Sequence, residues 1–154
     1  MSEQAILGIH GEVTVKHIRC GAVIAEQTMH NTTTNVGIAQ AIALVSGQAA
    51  GSFQYVAVGS GTVTPAVTDT ALTNEIIRVQ AGIALITTVT TNDTAQYTAG
   101  FYFAGSYNVA ECGVFNSATP NSGIILGHLL FGTIYAVLNG DQLQVIWNEV
   151  MNGV

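Results

Sequence analysis

The stretch Thr94–Phe103, TAQYTAGFYF, decides the fold. Its apolar positions alternate with polar ones: Tyr97, Ala99, Phe101 and Phe103 against Gln96, Thr98 and Tyr102. A period of two places successive side chains on opposite faces of an extended chain. The stretch therefore predicts a β-strand with one face in a core.

Similar segments lie on both sides of this strand, separated by turn signals about every 8–12 residues, a spacing typical of β-sandwiches. They are Glu12–Arg19, Ala22–Met29, Phe53–Val58, Glu75–Ala81, Ile83–Thr91, Val109–Phe115, Ile124–Phe131, Thr133–Leu138 and Gln142–Glu149. Gly21 and Asn139-Gly140-Asp141 read as hairpin turns. We predict a mainly β protein: one antiparallel, jelly-roll-like β-sandwich domain over 1–154, with an N-terminal hairpin and a helix packed on it.

One helix is expected near residues 34–46. The polar run Asn31–Asn35 can cap it, and Gly47 can end it. Its apolar residues recur at helical spacing: Val36, Ile38, Ala41, Ile42 and Val45. A helix that is apolar nearly all round is buried on most sides, so we expect it between the sheet and a second body such as another subunit.

A second, one- or two-turn helix is expected to be capped by Asp69 or Thr70 and to run through Asn74.

Charge is scarce. The 154 residues include 3 Lys+Arg and 9 Asp+Glu, which is 8% charged residues with a net charge of −6, whereas 49% are hydrophobic. Ordinary domains carry about 25% charged residues. Two interpretations stay open: a surface solvated by Thr, Asn, Gln and Ser, or a surface covered by neighbouring subunits, since such interfaces are depleted in charge.

The same composition argues against several partners. Lys16, Arg19 and Arg78 are the whole basic supply, too little to neutralise a nucleic-acid backbone. The N-terminus has no basic region before an apolar run, so no signal peptide is expected. No apolar stretch reaches 18 residues, so no membrane span is expected. Cys20 and Cys112 are expected to be buried thiols rather than a disulfide.

No catalytic, cofactor or metal site is predicted. His10, His17, His30 and His128 show no metal-ligand spacing, and the Gly59-Ser60-Gly61 turn lacks the lysine of a phosphate loop. Glu111 lies in an apolar strand, where an acid needs a partner. We expect Glu111 or Glu75 to pair with Arg78 or to cap backbone amides.

Three motifs occur in a fixed order: Gly59–Glu75 (GSGTVTPAVTDTALTNE), Glu111–Phe115 (ECGVF) and Gly140–Trp147 (GDQLQVIW). This order resembles a family of small structural proteins of tailed bacteriophages, found in both head and tail modules. The resemblance covers Phe53–Val150.

The resemblance implies a non-enzymatic virion protein, assembled in the host cytoplasm and acting as a symmetric homo-oligomer, expected to be a trimer. A capsid decoration (cement) protein on the major capsid protein is the preferred expectation, because the chain leaves no room for a shaft. The alternatives are a tail-fibre or baseplate component, or a module that binds host glycans through tyrosine and asparagine loops. The structural and interface candidates are Val36, Ile38, Ile42, Val45, Pro65, Asp69, Glu75, Arg78, Glu111 and Trp147.

Overall fold

The computed structural model describes residues 7–153, which form two five-stranded antiparallel sheets and one helix. The predicted antiparallel β-sandwich is confirmed. In chain order the elements are β1 Leu7–Arg19, β2 Ala22–His30, β3 Thr32–Thr33, α1 Asn35–Val45, β4 Tyr55–Gly59, β5 Glu75–Gln80, β6 Gly82–Ile86, β7 Thr94–Tyr102, β8 Tyr107–Phe115, β9 Ile125–Val137 and β10 Gln142–Gly153. Sheet A has the order β2-β1-β10-β7-β6, and sheet B has the order β3-β9-β8-β4-β5.

The core lies between the two sheets. β10 alternates as its sequence indicates, with Leu143, Val145 and Trp147 fully buried. The predicted inward residues of Thr94–Phe103 are all buried, whereas Tyr102 on the opposite face is 74% exposed. The chain changes sheets at Ala81, between β5 in sheet B and β6 in sheet A.

The predicted β1–β2 hairpin forms, but its turn corrects one prediction. Cys20 and Gly21 make a two-residue turn with φ of 51° and 79°. Positive φ at both central residues is what a tight hairpin requires. Cys20 is therefore exposed rather than buried, whereas Cys112 is buried, and both are free thiols.

The end of the chain corrects two more predictions. Asn139-Gly140-Asp141 does not close a hairpin, because β9 and β10 lie in different sheets and the turn carries the chain between them. β9 is one strand rather than two. It bulges where residues 131–134 face Ala110 alone, and pairing with β8 resumes at Tyr135. There the Gln27 side chain substitutes for a strand: its Nε2 donates to the Thr133 carbonyl at 2.8 Å, and its Oε1 accepts the Thr133 amide at 3.0 Å.

Carboxylates explain why two other segments differ from prediction. β6 ends at Ile86 because the Asp93 carboxylate accepts the amides of Thr88, Val89 and Thr90 and folds the following residues into a turn. The short helix expected through Asn74 is absent: a turn lies at 67–68, and 69–74 is irregular with a few bends. Asp69 does not cap a helix; it accepts the Ala66 amide at 2.9 Å.

The predicted helix is present, with Thr34 as its N-cap accepting the Gly37 amide at 2.9 Å. The sequence prediction did not specify which side of α1 packs on the sheet. Its buried residues are Gly37 and Gln40, and Gln40 Nε2 donates to the carbonyls of Ala50 and Gly51. Ile38, Ile42 and Val45 point away from the sandwich and are 41%, 56% and 77% exposed.

We predict that Gly37→Ala destabilises the protein by about 2 kcal/mol, a cost typical of an overpacked core. A Cβ at Gly37 would lie 2.6 Å from Leu126 Cα and 2.8 Å from the Ile125 carbonyl oxygen, and neither backbone atom can yield cheaply. Urea denaturation followed by circular dichroism measures the change. Gly82→Ala is the control, because its nearest contact would be at 3.8 Å and its stability should not fall. Stabilisation by Gly37→Ala, the usual sign in a helix, would contradict the close packing of α1 on β9.

Candidate assembly surface

The carboxylate of Glu111, on β8, binds the loop Gly59–Glu75 that connects β4 and β5. Oε1 accepts the amides of Gly61 at 2.9 Å and Asn74 at 2.8 Å, and Oε2 accepts the Thr73 amide at 3.0 Å. Glu111 is fully buried. One carboxylate thus joins both ends of the loop to sheet B, and we call this arrangement the Glu111 clamp.

The clamp explains the Gly-Ser-Gly sequence. A Cβ on Gly61 would collide with Glu111 Oε1 and with the Thr73 side chain, and one on Gly59 would collide with the Asn74 carbonyl. Glycine is needed here for close approach of the backbone to a carboxylate. The Gly59-Ser60-Gly61 turn is therefore explained by the packing of the loop against Glu111.

His128 on β9 completes the clamp between two carboxylates. Its Nε2 lies 2.8 Å from Glu111 Oε2, and its Nδ1 lies 2.7 Å from Asp69 Oδ2. Two acceptor oxygens require two N–H donors, so the ring is an imidazolium. Burial lowers the pKa of His128, but the two carboxylates outweigh burial and raise it above its usual range. Burial likewise raises the pKa of Glu111, but the hydrogen bonds from His128 and the three amides outweigh it and hold the pKa at about 2.

A second ion pair fixes the loop 116–123. Arg78 on β5 binds Glu75 through Nε at 2.8 Å and Nη2 at 2.7 Å, a bidentate geometry. Its Nη1 donates to the carbonyls of Ser117 at 2.9 Å and Ser122 at 2.8 Å, and its guanidinium stacks on Phe115. Both expected roles for the acids therefore occur: Glu75 pairs with Arg78, and Glu111 caps amides.

A third cluster lies at the β9–β10 connection. Asp141 accepts Arg19 Nε at 2.9 Å, His17 Nε2 at 2.7 Å and the Leu138 amide at 2.9 Å. Its hydrogen bond to Arg19 is the main reason that its pKa falls well below the usual range. It holds the end of the β1 hairpin against the crossover between the sheets.

These clusters use most of the protein's charge internally. Of the eleven charged residues between 7 and 153, only Glu12 and Glu26 are classed as exposed. The described surface therefore carries few fully exposed charges.

Two apolar features lie open on that surface. The helix patch consists of Ile38, Ile42 and Val45 on one face of α1, together with Val67. Val67 is 51% exposed and lies at the start of α1, since its carbonyl accepts the Asn35 amide at 2.8 Å. The second feature is the edge strand β6, GIALI, in which Ile83 is 46% and Leu85 63% exposed.

The other candidate residues lie beneath the surface. Trp147 is fully buried in the core and therefore not available to a neighbour. Val36 is half-buried against the small cluster of Phe115 and Ile125, and Pro65 is half-buried in the loop. Asp69, Glu75, Arg78 and Glu111 hold loops from inside.

In residues 7–153 no group of three or more His, Cys, Asp or Glu side chains is arranged so that it could hold a metal ion. Over the same range no helix is long and apolar enough to cross a membrane. Comparisons of the chain with protein-family models, with curated proteins and with solved structures find no match.

We predict that Glu111→Gln lowers the free energy of unfolding at pH 7 by about 3 kcal/mol, because it leaves a buried imidazolium and loses a charged acceptor of three amides. Urea denaturation measures the loss. Glu12→Gln, which neutralises an exposed acid, should change stability by less than about 0.5 kcal/mol.

The pH dependence gives an independent check of the clamp. The pKa of Glu111 is about 2 in the folded state and 4.5 for an unperturbed group, so its contribution is complete above pH 4.5 and is lost as pH falls towards 2. Glu111→Gln should therefore show a flatter loss of stability over that interval. An acid transition identical to that of the wild type would contradict the clamp.

Proposed function

We propose that this protein is a virion structural protein of a tailed bacteriophage, acting without catalysis as a subunit of a symmetric homo-oligomer, and that it decorates the capsid. The observation that carries the proposal is the exposed apolar face of α1 on a surface with few exposed charges. The order of the three sequence motifs supports the phage assignment.

The helix patch needs a partner. One side of α1 packs on β9, with Gly37 against the backbone of Leu126. The other side presents Ile42 and Val45, both more than half exposed. Burial of apolar area stabilises by about 25 cal/mol per Å², so covering this face with the same face of another copy favours association.

The edge strand β6 supports the same conclusion. Exposed edges usually carry Lys, Pro or another feature that prevents pairing with a second chain. The β6 sequence GIALI has none of these, and four of its five residues are exposed. Its free backbone groups are available to a neighbouring strand.

The loops have the rigidity that a particle contact requires. The Glu111 clamp fixes Gly59–Glu75, and Arg78 fixes 116–123, so little conformational entropy remains to be lost on binding. Val63, at the first loop's surface, is 60% exposed. These loops are the proposed contacts with the major capsid protein; a tail-fibre or baseplate location is the alternative.

We expect the wild-type protein to sediment as an oligomer, with a trimer as the proposed form, at micromolar concentration. The double variant Ile42→Asp/Val45→Asp should shift it towards monomer, because two carboxylates would be desolvated at the interface. Ile134→Asp is the matched control: Ile134 is 49% exposed and lies eight residues along β9 from Leu126, roughly 25 Å away. Sedimentation velocity measures all three. A monomeric wild-type protein, or equal effects of both changes, would contradict the proposed surface.

The location in the particle is tested by counting copies per purified virion with quantitative mass spectrometry. Hundreds of copies are expected for a decoration protein. A handful would place the protein in the tail, and none would overturn the virion assignment.

A glycan-binding role is the second candidate, favoured by two exposed tyrosines flanking the turn between β7 and β8. Tyr102 is 74% and Tyr107 42% exposed, and Tyr107 lines a shallow surface cavity of about 260 Å³ with Leu138. Saturable glycan-array binding that is at least tenfold weaker in Tyr107→Ala would support it. Tyr55→Phe is the control. Tyr55 lies outside this cavity, and the substitution removes only its hydroxyl group. Absence of binding across the array would remove this candidate.

A further inference from the structure

A cavity of about 480 Å³ opens between α1, β7 and the ends of β1 and β10. Its walls are mostly apolar, built by Ile9, Ala41, Leu44, Val45, Phe53, Leu85, Ala95, Leu126 and Met151. This volume is within the range of small-molecule sites, which are typically apolar with a few placed polar groups.

The carboxyl group of Glu149 lies in the cavity wall. Glu149 is only 7% exposed. Trp147 Nε1 donates to its Oε2 at 2.6 Å, and the Thr33 hydroxyl lies 3.4 Å from Oε1. None of the ion pairs among residues 7–153 involves Glu149. A buried carboxylate without a cation is costly, so a cation brought by a ligand would have a ready partner.

The remaining charge of the lining has the same sign. Asp93 contributes to the wall, and no Lys, Arg or His does. Asn31 has a side-chain amide whose nitrogen and oxygen are both buried without a hydrogen-bond partner. This amide and Glu149 Oε2 both lie against the same side of Gly11. The cavity lining therefore offers the acidic group of Glu149 to a hydrogen-bond donor, and the unpaired amide of Asn31 lies beside that group but outside the lining.

We propose that this cavity binds an amphiphilic cation: a small molecule with an apolar body, which fills the space between α1 and β7, and a protonated amine, which pairs with Glu149. Charge complementarity selects the amine over a neutral or anionic head. The lining shares Val45 and Leu85 with the surfaces proposed for assembly, so ligand binding and assembly are measured separately.

Binding should depend on pH through Glu149. Burial raises the pKa of this group to about 7, against the opposing hydrogen bonds from Trp147 and Thr33. The other titratable groups facing the cavity are Tyr97, whose pKa is raised to about 12 mainly by burial, and Asp93, whose pKa is held low mainly by backbone amides. Neither changes charge between pH 5.5 and 8. Amine affinity should therefore rise as pH rises towards 7 and level off above it.

The test compares three probes of equal chain length, n-octylammonium, octanol and octanoate, kept below their micelle concentrations. Trp147 is the chain's single tryptophan and touches Glu149, so its fluorescence reports binding, and calorimetry gives the dissociation constants. At pH 8 we expect octylammonium to bind at least tenfold more tightly than the other two. At pH 5.5 its advantage over octanol should shrink to less than threefold.

Two variants assign the effect. Glu149→Gln should abolish the preference for the amine while octanol still binds, and Glu12→Gln, an exposed acid, should leave it unchanged. If Glu149→Gln does not fold, the comparison of wild-type binding at pH 8 and pH 5.5 still tests the role of Glu149. Equal binding of octanoate at pH 8, a preference independent of pH, or no saturable binding at millimolar probe would each overturn the proposal. Sedimentation of the same samples reads assembly separately, so failure of one proposal is distinguishable from failure of the other.

Discussion

The structure depends on one buried carboxylate, that of Glu111. It sits on a central strand of sheet B and accepts backbone amides from both ends of a loop whose span, between β4 and β5, has no regular structure of its own. Uncompensated burial of this charge would cost several kcal/mol, and the imidazolium of His128 supplies the compensation. Asp69, on the loop itself, fixes that imidazolium in turn. The positions of the loop's two ends and the need for the two glycines at its start follow from this single anion.

The protein has few charged residues, and most of them bind other parts of the same chain. A protein with three Lys and Arg residues uses Arg78 and Arg19 to hold loops and turns, which leaves Lys16 as its one other basic side chain. Large apolar residues on α1 and β6 stay uncovered in the single chain. The pairing of charges inside the protein and the apolar residues on its surface therefore both follow from a composition with few charged and many hydrophobic residues.

Local patterns predicted the fold well, and contacts between distant residues decided where prediction failed. The alternation of Thr94–Phe103 and Gln142–Glu149 was sufficient to place their inward faces, and the polar run Asn31–Asn35 with Gly47 was sufficient to bound α1. Which face of α1 packs was not predictable, because Gly37 gains its role only from the backbone of β9. Glu111 was noticed as an acid in an apolar strand, but its partner His128 and the isolated Glu149 gave no local signal. Their roles depend on residues far along the chain.

The Gln27 side chain has a consequence for how the sandwich moves. At the bulge in β9, Thr133 faces no residue of β8, yet both of its backbone groups are paired by one amide from β2. That amide hydrogen-bonds an edge strand of sheet A to sheet B, so it connects the two sheets directly at this point. The Thr133 amide should therefore resist hydrogen exchange, although it faces no partner strand.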